Sequence, residues 1–369
     1  MTATELDALV TAVLSAAFAL SALLGALLRQ TRFCAMGALS DVMHLGDWSR
    51  LRQWSMAAGV ATLGFAALTA SGQVDPARTL YASSSLAWLS ALSGGLLFGF
   101  GMVLGSGCGS KNLVRLGGGS LKSLVVCVVM GLAAFATLKG ITAVWRVATV
   151  DAVQWPLAGQ AFLPDLWARL YGASLPMSRL WLGLLAGGAL VAWALGRRAG
   201  RDPAALWGGA AVGAMVAAAW WLSGHWAEVQ EHPLTLEHAF VATNSGRSEA
   251  LSFVTPVAYT LDWLMFYSDR NKLLSTGIVS VLGVVAGAAA HTLWTREFRW
   301  QGFADTKDLA HHLTGAVLMG VGGVTAMGCS IGQGLSALST LHLASLIAVP
   351  AIAAGALLAL RYQAWRAAR

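Results

Sequence analysis

Apolar residues fall along this chain in long blocks separated by short polar or basic stretches. Nine blocks, at about 6–28, 51–70, 86–104, 121–144, 179–196, 204–224, 274–294, 309–327 and 342–360, come close to or exceed the length of a bilayer crossing, which takes roughly 20 residues of apolar helix. Four more segments, 33–44, 109–117, 248–266 and 331–340, follow a crossing or its loop and are too short or too polar to span. They read as re-entrant half-helices, which membrane depth tolerates only where they line a protein-enclosed cavity. The bland alternative is a set of helices lying on the membrane surface. The expected fold class is an all-α polytopic membrane protein, with 1–369 as a single transmembrane domain.

The pattern also repeats. The stretch from Leu92 to Leu121 recurs 221 residues later, from Leu313 to Leu341, and eight of seventeen positions between 92 and 108 match. Each copy is an apolar helix that breaks at a Gly-Cys pair, Gly107-Cys108 and Gly328-Cys329, and restarts as a short segment. This suggests one repeat over about 6–144, a connector helix at about 179–196 and a second repeat over about 204–360. An odd connector makes the two repeats inverted, and inverted repeats with broken helices hold their binding site at the repeat interface near the midplane.

Composition agrees with a membrane setting. Charged residues are 11% and hydrophobic residues 57% of the chain, and mean hydropathy is +0.65, whereas a soluble domain carries about a quarter charged residues. The net charge of +7 does not point to nucleic acid, because the basic residues sit in short loops between apolar blocks. Four cysteines in 369 residues are no disulfide framework. A cleaved signal peptide is not expected, since Glu5 and Asp7 stand where basic residues would be and the first apolar block is too long.

The loop charges give an orientation. Sixteen Lys and Arg fall on one side: Arg29, Arg32, Arg50, Arg52, Lys111, Arg115, Lys122, Arg197, Arg198, Arg201, Arg296, Arg299, Lys307, Arg361, Arg366 and Arg369. Seven fall on the other: Arg78, Arg146, Arg169, Arg179, Arg247, Arg270 and Lys272. The positive-inside rule makes the first side cytoplasmic, so the N-terminus is expected in the periplasm and the C-terminus in the cytoplasm of a bacterial inner membrane.

Chemistry concentrates at the breaks. Ser110 and Ser330 read as N-caps of the half-helices that carry Lys111 and Gln333. A half-helix N-terminus at mid-membrane offers free N–H donors and about half a positive charge, and Gly107, Gly109 and Gly328 let a ligand approach the backbone. Tight helix packing alone would account for the glycines but not for Cys108 and Cys329 at matching positions. Cys34 follows the first crossing in Arg32-Phe33-Cys34-Ala35-Met36-Gly37; its second-half counterpart, around Phe253-Val254, has no cysteine. Cys127, mid-helix without Gly or polar neighbours, is given no role. His311 and His312 beside Asp308, and His225, His232 and His238, read as solvated residues and not as a metal site. No nucleophile stands beside a recognisable base and no phosphate loop occurs, so neither an enzyme nor a resident cofactor is expected.

Three motifs together, Arg32 to Gly37, Gly105-Ser106-Gly107-Cys108-Gly109-Ser110 and Gly328-Cys329-Ser330-Ile331-Gly332-Gln333-Gly334, resemble the cysteine motifs of the YeeE/YedE family of sulfur-compound transporters. The likeness runs from about 20 to 345. It implies uptake of thiosulfate or a related inorganic sulfur anion past Cys34, Cys108 and Cys329, and a small cytoplasmic sulfurtransferase of the TusA type as a partner. Gly109 departs from the pattern where the paired motif has Ser330, and the outer loops are longer than in compact members. On physical grounds a dianion is buried only where donors replace water, and a protonated thiol is a weak donor that holds a soft sulfur without trapping it. Three other readings stand beside this one. Selenium compounds are a second ligand class within the family. A Cu(I) carrier would use Cys108 and Cys329 with Met36, Met102, Met319 or Met327, against which the helix-end positive charge and Lys111 argue. A membrane thiol-disulfide protein would cycle Cys108 with Cys329, without any C-x-x-C motif to support it.

Overall fold

The computed structural model of the chain describes residues 2–196, 202–233, 236–269 and 273–367. Arg197, Arg198, Arg201, Arg270, Lys272 and Arg369, counted above for topology, lie outside the described residues. The fold is helical almost throughout. The first half runs α1 (Ala3–Gln30), α2 (Ala35–Leu45), α3 (Ser49–Ala70), α4 (Trp88–Leu104), α5 (Gly109–Gly117) and α6 (Leu121–Lys139). The helices α7 (Ile141–Ala148) and α8 (Leu163–Tyr171) lead to α9 (Leu175–Leu195). The second half runs α10 (Pro203–Trp221), α11 (Thr255–Met265), α12 (Thr276–Trp294) and α13 (Thr306–Thr325), then a short helix over 330–339, π-helical at Gly332–Ala337, and α14 (Leu343–Ala367).

Among the described residues seven helical stretches are long and apolar enough to cross a membrane. The chain is a multi-pass membrane protein. Of the nine expected crossings, α3 and α13 stand outside these seven. They are 22 and 20 residues long, but their first turns carry Arg50, Arg52 and Gln53, and Lys307 and Asp308. Boundaries shift where local chemistry dictates. Crossing four stops at Lys139, where Gly140 breaks the helix before α7. The segment 248–266 divides: 248–254 is non-helical, and the helix starts only at Thr255, with Pro256 in its first turn.

The packing has an exchange property. Helix α1 packs on α12 as α10 packs on α3, and α4 packs on α14 as α13 packs on α6. Likewise α5 meets α12 as the 330–339 helix meets α3, and α11 meets α6 as α2 meets α14. Swapping first-half helices for second-half helices in chain order turns each contact into another of the set. Helix α9 has no counterpart and lies against α3. At the centre α4 touches α13, its own counterpart. A Cβ placed on Gly94 would sit 2.8 Å from the Gly322 carbonyl oxygen, and one on Gly101 2.7 Å from that of Gly315. An early residue of each helix meets a late residue of the other, so the two cross antiparallel with backbones touching. Only residues without a Cβ permit that approach, a common device of membrane helices.

The loops gather at two ends. One end holds two small antiparallel ribbons, β1 (Ser85–Leu86) with β2 (Trp155–Pro156) and β3 (Glu228–Val229) with β4 (Ala239–Phe240), and the bridges Thr79–Ser248 and Phe162–His342. The other end holds the Arg29–Glu297 and Lys122–Asp308 ion pairs, at 3.1 and 2.6 Å, and the Ser120–Gln301 bridge. Arg29, Lys122 and Arg299, three of the residues counted on one side, thus lie at the same end.

Candidate functional site

The two Gly-Cys breaks have the same backbone. Helix α4 ends as Ser106 N–H donates to the Val103 carbonyl and Gly107 N–H to that of Met102; α13 ends as Met327 N–H donates to Val324 and Gly328 N–H to Gly323. This double closure is the Schellman ending of a helix, whose reversing residue is left-handed and usually glycine. Here that residue is Ser106 and Met327, each with φ 56°. The next residue, Gly107 or Gly328, has φ 156° or 159°, open to glycine and strained for other residues. Non-glycine residues in this region persist only where the surroundings hold them, and such strain collects at functional sites.

Each break restarts at cysteine. Cys108 is the N-cap of α5, extended at φ −71° and ψ 174°, and its carbonyl accepts the first helical bond from Asn112 N–H at 3.0 Å. The Cys329 carbonyl accepts from Gln333 N–H at 2.7 Å in the same way. Cys34 is the N-cap of α2. The serines expected as caps do not fill that role. Ser110 lies inside α5 with its hydroxyl 3.3 Å from the Cys108 thiol, and the Ser330 oxygen has no partner. The physical reason is that each helix starts at its cysteine, one residue before Ser330 and two before Ser110, and a thiol can cap as a hydroxyl does: Cys34 Sγ accepts from Gly37 N–H at 3.4 Å and Cys329 Sγ from Gly332 N–H at 3.3 Å, whereas Cys108 makes no such bond. Phe253 and Ile331 also turn backbone N–H groups toward Cys329 Sγ. A sulfur whose lone pairs are taken by backbone donors keeps its S–H free to donate elsewhere.

The three thiols form a sequence in space. Cys108 lies within electrostatic reach of both Cys34 and Cys329. All three are buried, at 6, 2 and 0% exposure in chain order. Toward the Cys34 end stand Lys111 and Arg115, with Arg29 also in reach of Lys111. Arg115 is half committed, since it donates to the Ser106 carbonyl at 2.6 Å and so props the first break open. Asn112 and Gln333 occupy matching positions and brace their breaks in turn: Asn112 donates to the Gly107 carbonyl at 2.9 Å, Gln333 to the Ala326 carbonyl at 2.5 Å. Gln333, fully buried, leaves its own Oε1 unpartnered beside the unpartnered Ser330 hydroxyl. Two orphaned polar atoms at one buried half-helix start are what a polar ligand would satisfy, since buried polar groups otherwise find partners. Helix α5 has no side-chain cap bond, so the N–H groups of its first turn remain available. Gly109 opens that turn near Met130 and the Phe253 carbonyl.

Beyond Cys329, toward the ribbon end, lies a cavity of about 470 Å³. Its lining includes Ser252, Ala326, Met327, Tyr81, Glu249, Thr276 and His342. The Tyr81 hydroxyl donates to the Gly332 carbonyl at 3.1 Å, tying this wall to the Cys329 half-helix. On the Cys34 side, Trp54 stacks on Phe33 at 4.7 Å and also lies against Gly334, with its indole N–H unpartnered. Sequence reasoning missed Tyr81, Glu249 and Trp54. The run Tyr81-Ala82-Ser83-Ser84-Ser85, polar within an apolar chain, was the one signal available for the first. The expected solvated histidine at 312 is instead buried, with Nδ1 3.0 Å from the Asp308 carboxylate. Cys127 is a buried residue of α6.

Residues 30–358 match the family described as sulphur transport. The chain is 25% identical over 335 residues to the thiosulfate transporter TsuA of Escherichia coli K12, covering 85% of this chain and 84% of that one. It is 26% identical over 338 residues to the thiosulfate transporter TsuA of Spirochaeta thermophila, covering 88% and 92%.

Proposed function

The chain belongs to the sulphur-transport family, and on that premise we propose that it carries thiosulfate into the cytoplasm along Cys329, Cys108 and Cys34 in that order. The observation that carries this reading is that each of three buried cysteines stands at the start of a short helix, with Cys108 in reach of the other two.

The chemistry follows from the donors. At each stop the anion meets a thiol S–H together with a helix N-terminus, which replaces water for a charge that otherwise could not enter. No stop has a fixed ion pair to hold a dianion tightly, and passage needs sites that release what they bind. Gly107, Gly109, Ser110, Gly328, Ser330 and Gln333 form the walls of the two central stops, with Lys111 drawing the anion toward the Cys34 end. The two repeats, about 6–144 and 204–360, are inverted in this reading, supported by the antiparallel contact of α4 with α13.

The orientation puts the ribbon end in the periplasm and the basic end in the cytoplasm of an inner membrane. A cytoplasmic sulfurtransferase of the TusA type would receive the product at the basic end. The test is uptake of radioactive thiosulfate into proteoliposomes, with sulfite, sulfate and selenite as competitors. Saturable thiosulfate uptake that sulfate does not displace supports the reading, and equal displacement by every oxyanion overturns its sulfur selectivity.

A further inference from the structure

The cavity beyond Cys329 is an odd antechamber for an anion, because its wall includes two carboxylates. Asp151 is neutralised: Arg146 lies 3.1 Å away and Ser90 donates to it at 2.7 Å. Glu249 has no cation partner among the described residues. Its carboxylate is held only by neutral donors, the Ser245 hydroxyl at 3.2 Å, the Thr276 hydroxyl at 3.3 Å and the Asn244 backbone N–H. The Glu249 backbone is pinned as well, donating to the Ser223 hydroxyl at 3.1 Å. A hydroxyl can turn from donor to acceptor, so this cage accommodates the carboxyl with or without its proton. Tyr81 lines the same cavity and lies in electrostatic reach of both Glu249 and Cys329.

We propose that Glu249 is a proton-binding site that decides when the cavity admits an anion, the carboxyl taking a proton from cavity water before the anion passes Tyr81. This rests on the anion-transport reading above. A charged carboxylate in this wall repels a dianion, and a protonated one donates a hydrogen bond to it instead. Burial pushes the Glu249 carboxyl up from its ordinary range, against the pull of its three donors, so the proton is held closer to neutral pH than on an exposed glutamate.

The other charged and titratable groups facing the cavity do not supply this behaviour. Asp151 is paired. Burial pushes His342 down to about 4, leaving it neutral, and pushes the Tyr81 phenol up. Arg247 turns away, donating to the Ala82 carbonyl at 2.8 Å. From α11 the cavity receives Tyr259, with Asp262 in reach behind it, and from α12 only Thr276, Gly277 and Ser280.

The experiment is thiosulfate uptake into proteoliposomes with the outer pH stepped from about 5 to about 8, for the unaltered protein, Glu249→Gln and Thr276→Ala. Thiosulfate keeps its charge over this range. Uptake by the unaltered protein should fall, approaching roughly tenfold per pH unit above the carboxyl midpoint. Glu249→Gln should flatten the profile, holding at high pH the rate of the unaltered protein at low pH. Thr276→Ala should move the midpoint upward, since a donor to the charged form is gone, and it keeps the test decisive if Glu249→Gln does not fold. An unaltered pH profile in Glu249→Gln overturns the proposal while leaving thiosulfate transport standing. A flat profile in the unaltered protein, or a Thr276→Ala midpoint that stays put or moves downward, overturns it too. Absence of any uptake by the unaltered protein refutes the transport reading instead.

Discussion

Tyr81 and Gly332 lie 251 residues apart, and the phenol of one donates to the carbonyl of the other at 3.1 Å with both buried. The bond joins a loop at the ribbon end to the π-helical turn that follows Cys329. It leaves the Gly332 N–H to Cys329 Sγ, so one residue serves the cavity wall with its carbonyl and the thiol with its N–H. Single-turn π segments occur often at functional sites, and this one is stitched in place from outside its own helix.

Replacing Tyr81 by Phe removes that stitch, a net loss of about 1 kcal/mol for one buried hydrogen bond. Thiosulfate uptake should fall by roughly five-fold or more, with the protein still inserted and monodisperse. Rates equal to those of the unaltered protein, at matched membrane levels, would show that the loop does not hold the half-helix.

The four cysteines separate a passage from a packing role. Cys108→Ala and Cys329→Ala should abolish uptake in a folded protein, because a desolvated anion cannot recover the missing donor. Cys34→Ala should lower uptake less, being nearest the basic end. Serine at each position should retain part of the activity, since a hydroxyl donates where a redox thiol could not be replaced. Cys127→Ala should cost about 1 kcal/mol of stability or less and leave uptake nearly intact. A Cys127 effect as large as that of Cys108 would sink the relay.

How much of this could be read from the chain varies by element. The long helices stand where the apolar blocks stand, because a bilayer imposes length and composition locally. The breaks were legible for the same reason, Gly-Cys being written twice in one register. What the cysteines do there was less so: serine has the stronger capping preference, and only the backbone shows that Cys34 Sγ and Cys329 Sγ receive the first-turn donors. Helix α13 hides its polar first turn by pairing Asp308 with Lys122 at 2.6 Å. Tyr81, Glu249 and Trp54 were illegible, since each acts on a partner distant in sequence and none sits in a motif.

The glycine seam between α4 and α13 predicts a stability split. Leucine at Gly101 or Gly322 must displace backbone, at a cost of about 1–3 kcal/mol or more from overpacking, and should reduce recovery of folded protein. Leucine at Gly188 on α9, where a Cβ meets nothing within 4 Å, should be tolerated. Thermal unfolding in detergent, followed by size-exclusion, distinguishes the two, and equal tolerance would refute the close crossing.

Orientation is checked with single reporter residues. A label at Thr2 should be reachable only from the periplasm, and one beyond Arg369 only from the cytoplasm. Both termini reachable from one face would mean an even number of crossings, and the inverted arrangement would fail with it.

The exchange property of the packing is broken at a few positions. Cys34 answers to Val254, Lys111 to Gly332 and Arg115 to Ser336, two cations and a thiol set against neutral or apolar residues. A pathway obeying the swap in full would look alike from either face and could have no preferred sense of its own. On the proposed path these differences tilt the potential felt by an anion toward the basic end, an asymmetry carried by side chains and not by the frame that holds them.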